Sequence, residues 1–314
     1  MTTASDKSYS LLIKEKAYEL GFDLCGIAPS KNLKDHEPII RDWCSSGMNG
    51  EMNYLGQNIG KRINPELLFT SAKSVIVTGL NYYTARKQEG VGIPIISRYA
   101  YGDDYHGVIK EKLNKILDYI KHIIPDAEGK YFVDSAPVLE KTWAQQAGLG
   151  WPGRHSILIN NKIGSFFFLG VIILNLKLDY DQPLIEDHCN ECRLCIESCP
   201  TGAINENRTI DVRKCISYLT VEKKGPVPED FVQKLGGRIF GCDKCQEVCP
   251  WNKNAKQHNT PEFELREETK CMSSKEWLNL SSDQFSKLFK GTAIERRKFV
   301  PFMRNVTNVT NSKI

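Results

Sequence analysis

Hydrophobic and polar residues follow one another along the first 180 positions in a pattern that predicts strands packed between helices. Residues 9–20 place apolar positions among lysines and glutamates before Gly21, as expected of an amphipathic helix that ends at glycine. Residues 74–80 and 166–176 are β-branched or aromatic runs, which predict buried strands. Residues 108–124 repeat apolar positions at helical spacing. We therefore expect an α/β fold with a sheet flanked by helices.

Two shorter strands are predicted, at residues 130–134 and 155–159, and a helix follows the first of them as far as Ala147. The first strand ends on Asp134. Ligand contacts in open α/β sheets gather at the carboxyl ends of strands, so Asp134 is a candidate site residue. From the residues alone, an acid at the start of the following helix is the simpler interpretation.

The chain divides by pattern into three segments. Residues 1–180 form the expected α/β domain, residues 181–255 a cysteine-rich module, and residues 256–314 a basic C-terminal helical segment. Past the module the pattern is loose. We expect a capped helix at Ser273 and a polar end from Asn305 that frays.

Seven cysteines form two spaced motifs in the second segment. They are Cys189-x2-Cys192-x2-Cys195-x3-Cys199-Pro200 and Cys242-x2-Cys245-x3-Cys249-Pro250. This spacing is typical of proteins with two [4Fe-4S] clusters, in which the cysteine before proline binds the cluster of the opposite motif. Zinc also favours Cys-x2-Cys pairs, but a zinc site has no use for a third cysteine or for Cys-Pro endings. We therefore expect a ferredoxin-like module with two [4Fe-4S] clusters.

A count of four thiolates per cluster assigns the ligands. The first cluster is expected to be bound by Cys189, Cys192, Cys195 and, by the crossing rule, Cys249. The second is expected to be bound by Cys242, Cys245, Cys199 and Cys215, the last being the remaining cysteine between the motifs. Cys25, Cys44 and Cys271 are then incidental thiols.

Composition and charge indicate the cellular compartment and the possible partners of the protein. The 314 residues are 41% hydrophobic, which suits a sizeable core, and no apolar run reaches membrane length. The N-terminus lacks an export-signal pattern, and eleven cysteines without such a signal favour a reducing compartment. We expect a cytoplasmic protein with no membrane partner. Basic residues concentrate between Lys290 and Arg304, a cluster that either meets nucleic-acid phosphate or simply faces solvent.

No nucleotide-binding motif indicates a further cofactor beside the two clusters. The chain has no G-x-G-x-x-G after a strand and no Walker A motif, which argues against a dinucleotide or P-loop site. Two clusters move single electrons and do little substrate chemistry unaided, so the α/β domain is expected to hold an acceptor. The residues predict an iron–sulfur oxidoreductase and leave its second cofactor open.

From about residue 10 to about 305 the chain closely resembles the epoxyqueuosine reductase family of cobalamin-dependent iron–sulfur enzymes. The stretches that carry the resemblance are Lys61-Arg62 before Pro65, Arg98–His106, Val133–Glu140, Ala147–Trp151, Cys215–Thr220 and both cysteine motifs. Members often carry a helical HEAT-like C-terminal extension, so this sequence resembles a short form. Lys141 stands where many members have Arg, and Arg154-His155 where many have Lys-Asn, which affects the expected substrate contacts.

The resemblance implies base-off cobalamin between the α/β domain and the cluster module, supplied with electrons by the two clusters. The contacts it implies for this cofactor are Arg62, Ser97, Asp134, Leu158, Leu169, Ser217, Cys242 and Asp243. For Leu158 and Leu169, packing in the core is an equal alternative. Because Cys242 is also a cluster ligand, the second cluster would be the immediate donor to cobalt.

The resemblance also implies a reaction, the reduction of epoxyqueuosine at the wobble position of tRNA to queuosine with loss of water. The proton donor falls on Asp134, whose pKa we expect to be raised by burial against the corrin. The wobble base would be turned out of the anticodon loop. The expected tRNA contacts are Lys141, Lys223, Lys224, Arg296, Arg297 and Lys298. A flavodoxin or ferredoxin as low-potential electron donor, and a monomeric enzyme, complete the expectation.

Two other functions stay open. A reductive dehalogenase is a related design with cobalamin and two clusters, but such enzymes usually carry a twin-arginine export signal, which is missing here. A ferredoxin-like electron carrier needs no substrate site of its own. About 180 residues precede the first cluster cysteine, which argues against a simple carrier.

Overall fold

The computed structural model describes residues 8–90 and 92–311, and the N-terminal stretch expected to lack an export signal lies almost wholly outside them. The strands are β1 (Leu24–Pro29), β2 (Ser74–Asn81), β3 (Ile95–Ile96), β4 (Gly129–Phe132), β5 (Trp151–Pro152), β6 (Leu158–Ile159), β7 (Phe167–Leu174) and β8 (Arg238–Phe240). The α-helices are α1 (Tyr9–Glu19), α2 (Glu37–Ser45), α3 (Ile59–Ile63), α4 (Tyr105–Ile123), α5 (Glu140–Gln146), α6 (Leu194–Glu197), α7 (Ile216–Val221), α8 (Glu229–Val232), α9 (Lys244–Glu247), α10 (Glu267–Lys270), α11 (Ser274–Leu278), α12 (Ser282–Leu288) and α13 (Phe299–Asn311). Within the described part of the chain, no helix is long and apolar enough to cross a membrane.

A four-stranded antiparallel sheet in the order β1-β2-β7-β4 forms the centre of the N-terminal part. β2 and β7 pair from Ser74 opposite Leu174 to Asn81 opposite Phe167, and every residue of β2 is buried. The β-branched runs therefore form the predicted strands, because both faces of the sheet are covered. The sheet is antiparallel, so the rule for carboxyl ends in open parallel sheets does not explain the position of Asp134.

Helices cover both faces of this sheet, which confirms the expected fold class. On one face, α4 packs its buried stripe, including Ile109, Leu113 and Ile116, against the sheet and α1. On the other face, α5 contributes the buried Trp143 and Ala144. Asp104 caps α4, since its side chain accepts a hydrogen bond from the His106 backbone N–H.

The helix predicted up to Ala147 begins later than expected. It covers only Glu140–Gln146, and Leu139 is its N-cap residue. Because Ala136 precedes a proline, the helical conformation is disfavoured there, and residues 134–137 form bends instead. Asp134 therefore lies in a loop between β4 and α5, and the interpretation of Asp134 as a helix-start acid is wrong. The strand predicted at 155–159 is likewise shorter, Leu158–Ile159.

The segment after the module is well packed, contrary to its loose pattern in the sequence. The capping box at Ser273 is confirmed. Aromatic side chains from several short helices, among them Trp277, Phe289 and Phe302, join one buried cluster with residues of α7 and β8. The polar end does not fray where expected, because α13 is anchored as far as Val309 by buried side chains.

Candidate functional site

The first cysteine motif and the end of the second one line a single cavity. Its wall carries the thiols of Cys189, Cys192, Cys195 and Cys249, and the cavity volume is about 360 Å³. A turn closed by the Cys192 N–H on the Cys189 carbonyl, and then α6, position the first three. Cys249 reaches the cavity from the other motif, as the crossing rule predicts.

A second cavity of about 280 Å³ is lined by the thiols of Cys199, Cys215, Cys242 and Cys245. The Cys199 sulfur accepts a hydrogen bond from the Ala203 backbone N–H at 3.3 Å and contacts the Thr201 hydroxyl at 3.5 Å. Burial disfavours the Cys199 thiolate, but these donors outweigh burial and lower its pKa. A thiolate stabilised in this way is suited to bind metal.

Both cavities fit clusters better than single ions. Four thiolates hold a zinc ion at about 2.3 Å, which leaves no cavity between them. Here the four thiols of each set share, with other residues, the lining of a cavity of about 360 Å³ in the first case and about 280 Å³ in the second. The structure brings together the two ligand sets predicted from the sequence.

A larger cleft of about 710 Å³ adjoins the second thiol cavity. Tyr99, Lys141, Cys215 and Ser217 line both spaces. His155 in turn lines both thiol cavities. The three spaces therefore lie in sequence, from the first thiol cavity through the second one to the cleft. Such an order is suited to carry electrons into the cleft.

Asp134 projects into this cleft from a left-handed backbone conformation, with φ of 55°. Its carboxylate accepts a hydrogen bond from the Tyr105 hydroxyl at 2.9 Å and lies 3.2 Å from His106 Nε2. Its backbone N–H donates to the Glu140 carboxyl at 2.6 Å. These contacts fix a strained turn, because non-glycine residues rarely adopt this conformation.

A raised pKa of Asp134 is expected where a corrin covers the carboxyl group, and this stays a prediction, whereas in the open cleft the pKa is lowered. The hydrogen bond from His106 lowers the pKa of Asp134, and Tyr105 and the Arg296 charge add to this effect, which outweighs burial. Water still reaches the carboxylate, whose side chain is 61% exposed. Burial and the nearby Asp134 charge instead raise the pKa of Glu140 to about 8. The contacts therefore favour the ionised form of Asp134 and the neutral form of Glu140.

A chain of charged groups leads from Asp134 to the surface. His106 Nδ1 lies 2.7 Å from Asp104, whose other oxygen accepts from Arg296 Nε at 2.8 Å. Burial raises the pKa of Asp104, but His106 and Arg296 outweigh it and lower that pKa to about 2. His106 and Glu140 are site residues that were not predicted from the sequence. The spacing Asp104-x-His106 at a helix start is the one local signal that pointed to His106.

The residues expected to bind the corrin divide into three groups. Ser217 lines the cleft beside Asp134, whereas Ser97 and Cys242 lie behind it at the second thiol cavity. Asp243 also lies there, accepting hydrogen bonds from the Ser97 hydroxyl and from the Arg98 backbone N–H.

The remaining three expected contacts are not among the residues that line the cleft. Leu158 is 2% exposed within the core, as the packing alternative allowed, and Leu169 on β7 is partly buried against the same core. Arg62 donates to the Tyr54 carbonyl, and its Nε is buried with no partner among the described residues. Their role toward a corrin stays a prediction.

The residues expected to contact tRNA also divide. Lys141, Lys224, Arg296 and Arg297 line the cleft, whereas Lys223 pairs with Glu51 at 3.1 Å and Lys298 is exposed. Arg297 donates to the Lys223 carbonyl, and Arg304 of the same basic segment donates to the carbonyls of residues 219, 223 and 225. Part of the basic segment therefore holds the backbone at the end of α7.

Comparison with known proteins agrees with this arrangement. Residues 188–252 match the family described as "4Fe-4S double cluster binding domain", and residues 62–135 match "Epoxyqueuosine reductase QueG, DUF1730". The sheet, the cleft and the double-cluster match define an iron–sulfur oxidoreductase.

The chain belongs to the epoxyqueuosine reductase family. It is 44% identical over 300 residues to the epoxyqueuosine reductase of Cellulophaga algicola, covering 96% of this chain and 97% of that one. An epoxyqueuosine reductase solved with an epoxyqueuosine-modified tRNA stem loop matches at 31% identity with a TM-score of 0.88, covering 95% of this chain and 80% of that one. The Bacillus subtilis enzyme, solved with an aspartate-bearing catalytic loop swung out of the active site, matches at 30% identity, a TM-score of 0.86 and the same coverage.

Proposed function

We propose that this chain reduces epoxyqueuosine at the wobble position of tRNA to queuosine. The reaction opens the epoxide, removes its oxygen as water and leaves a carbon–carbon double bond, consuming two electrons and two protons. The observation that carries the proposal is the shared wall between the second thiol cavity and the cleft that holds Asp134. An electron route and a carboxyl group for proton transfer thus reach the same space.

The two thiol sets would hold two [4Fe-4S] clusters, and the cleft would hold base-off cobalamin between residues 1–180 and residues 181–255. The clusters supply single electrons, and cobalamin when bound supplies a low-potential centre for reduction of the epoxide carbon. Apolar side chains such as Met52, Val212 and Phe240 together with polar groups line the cleft, as is common for large cofactors. The unpartnered Arg62 Nε is a further donor for a bound group.

In this proposal Asp134 delivers a proton to the oxygen that leaves the epoxide. Tyr105 and His106 hold the carboxylate toward the cleft. A cofactor and a nucleoside that fill the cleft remove the water that now reaches Asp134, which raises its pKa toward the protonated form. The loop that carries Asp134 is suited to move, as it does in the Bacillus subtilis relative.

The tRNA would dock over the cleft with its wobble base turned inward. Support comes from the related enzyme solved with a modified stem loop and from the cations at the cleft, Lys141, Lys224 and Arg296. Lys298 and residues 256–314 would extend this contact along the phosphate backbone. A flavodoxin or ferredoxin would deliver electrons at the first thiol cavity, whose lining includes the 46% exposed Leu194. The enzyme would act as a monomer in the cytoplasm.

Anaerobic reconstitution with iron, sulfide and cobalamin, followed by reduction and nucleoside analysis of epoxyqueuosine-containing tRNA, tests the proposal. Queuosine should appear in proportion to enzyme and reductant. Conversion of a chlorinated phenol without conversion of tRNA would favour a reductive dehalogenase. A purified protein that binds two clusters but no cobalamin would favour an electron carrier.

A further inference from the structure

The proposed reaction needs two protons in each turnover, and Asp134 can hold only one. In the open cleft its carboxylate is ionised, since the hydrogen bond from His106 lowers its pKa. With cofactor and tRNA in place, the cleft is shielded from bulk water. Asp134 therefore needs a partner that can supply protons from another side.

His106 occupies the position that such a partner requires. It is 5% exposed, yet it lines both the cleft and a separate hollow on the outer surface. Its Nε2 lies 3.2 Å from Asp134 on the cleft side, and its Nδ1 lies 2.7 Å from Asp104. Asp104 and Arg296 also line the outer hollow, which is open to solvent. The imidazole thus lies, with Arg296, between the two spaces and contacts Asp134 on one side and Asp104 on the other.

We propose that His106 is a proton relay that recharges Asp134 from the outer hollow during each turnover. The inference rests on the proposed function. The epoxide takes up two electrons from the reductant through the clusters. One carbon–oxygen bond breaks and the oxygen receives a proton from Asp134. His106 then passes its Nε2 proton to Asp134, which delivers it as the second carbon–oxygen bond breaks, so that water leaves and the double bond forms. The ionised Asp134 receives its first proton from His106 in the same way, and solvent in the hollow returns one proton to His106 after each of the two transfers.

The charges that face His106 suit this role. Asp104 and Tyr105 come from its own helix start, Asp134 and Glu140 from the loop after β4 and from α5, and Arg296 from the segment before α13. Burial and the Arg296 charge disfavour the imidazolium, but the two aspartates outweigh them and raise the pKa of His106. This shift favours the imidazolium, the form that can pass a proton to Asp134. Through its ring contact with Tyr105, His106 is also a positioning residue for the site.

Chemical rescue can distinguish a proton relay at His106 from a purely structural role of this residue. His106→Gln and His106→Ala should each lower the rate of queuosine formation on the order of 100-fold, with both clusters and cobalamin still bound. Added imidazole should restore much of the rate to His106→Ala, because the outer hollow gives it access, and should not help Asp134→Asn. His122→Gln, an exposed histidine on the same helix, is the matched control and should keep the wild-type rate. Wild-type rates in both His106 variants, or a loss that imidazole does not restore, would overturn the relay.

A titration of the fully loaded protein gives a second readout that does not depend on turnover. The chain has six histidines, so carbon-13 labelling of the imidazole ring and comparison with His106→Gln assign the His106 signal. Its titration should lie above the ordinary histidine range and move to lower pH in Asp134→Asn. A signal that does not respond to Asp134 would overturn the proton link. If the wild-type enzyme itself makes no queuosine, the proposed function fails, whereas active enzyme with fully active His106 variants rejects only the relay.

Discussion

Arg304 lies in the basic segment, and its substitution can distinguish a structural role of that segment from a role in RNA binding. Its guanidinium donates to the Leu219 carbonyl at 2.7 Å, to the Lys223 carbonyl at 2.9 Å and to the Gly225 carbonyl. The Leu219 carbonyl belongs to the last turn of α7, where carbonyls lack partners within the helix. Arg304→Ala removes all three bonds at once. We therefore expect this substitution to destabilise the fold around the cleft.

The expected loss of folding free energy in Arg304→Ala is estimated from these contacts. A hydrogen bond from a charged donor contributes about 1.5 to 3 kcal/mol, but water can replace the guanidinium at the exposed carbonyls. Burial also lowers the pKa of Arg304 to about 10, which shows that the charge is held at some cost. A net loss of about 2 to 4 kcal/mol is expected. At roughly 2 °C per kcal/mol for a chain of this size, Tm falls by about 4 to 8 °C.

The assay is anaerobic thermal denaturation of the cluster-loaded protein, with tRNA affinity measured in parallel. Arg304→Lys should fall between wild type and Arg304→Ala, because an ammonium can reach fewer carbonyls. Lys298→Ala removes an exposed cation of the same segment and should leave Tm within about 1 °C. An unchanged Tm in Arg304→Ala together with weaker tRNA binding would show that the residue contacts RNA instead of the α7 carbonyls.

Three further outcomes are expected. Cys215→Ala should reduce the iron content from about eight to about four atoms per chain, while Cys271→Ala, an exposed thiol outside both cavities, should leave it unchanged; equal iron in the two variants would contradict the ligand assignment. Lys298→Ala should reduce the slope of tRNA affinity against salt by about one, and an unaltered slope would place that residue outside the interface. His106 has a raised pKa, so it contributes stability that is fully present below its ordinary pKa and lost as pH rises through the folded value. The stability gap between wild type and His106→Gln should therefore be larger at pH 6 than at pH 9, and a gap independent of pH would refute the charged state.

The two groups of cysteines that meet at the thiol cavities could be predicted from the sequence, because the spacing rule for cluster ligands is local. The same rule predicts that Cys199 and Cys249 each lie with the opposite motif, and a count of thiols places Cys215 in the second group, whereas their role as ligands stays a prediction. The long strands were also predictable, since β2 and β7 are buried along nearly their whole length and need continuous apolar runs. The end of β4 and the start of α5, on either side of Asp134, were not predicted correctly. Residues 134–137 form bends where the helix was expected to begin.

The proton-transfer groups could not be found in the same way, since they meet only through tertiary structure. His106 and Arg296 are 190 positions apart in the chain, yet their side chains lie 3.5 Å from each other. The pKa of Asp134 is lowered by His106, Tyr105 and Arg296, which come close to it only in the folded chain. No local sequence pattern therefore indicates this shift. The packing of the C-terminal helices was hidden for a similar reason. Each helix supplies only one or two aromatic side chains to the cluster around Trp277, so no single window of sequence shows a clear period.

In the proposed function, Asp134 delivers protons to a reduction fed through two thiol-bound clusters. A comparison of wild type with Asp134→Asn tests this role, in single-turnover reduction of epoxyqueuosine-containing tRNA under anaerobic conditions, with iron, cobalamin and bound tRNA measured on the same samples. We expect unchanged iron, cobalamin and tRNA binding in Asp134→Asn, and queuosine formation reduced by at least about 100-fold. Wild-type queuosine formation by Asp134→Asn would contradict it.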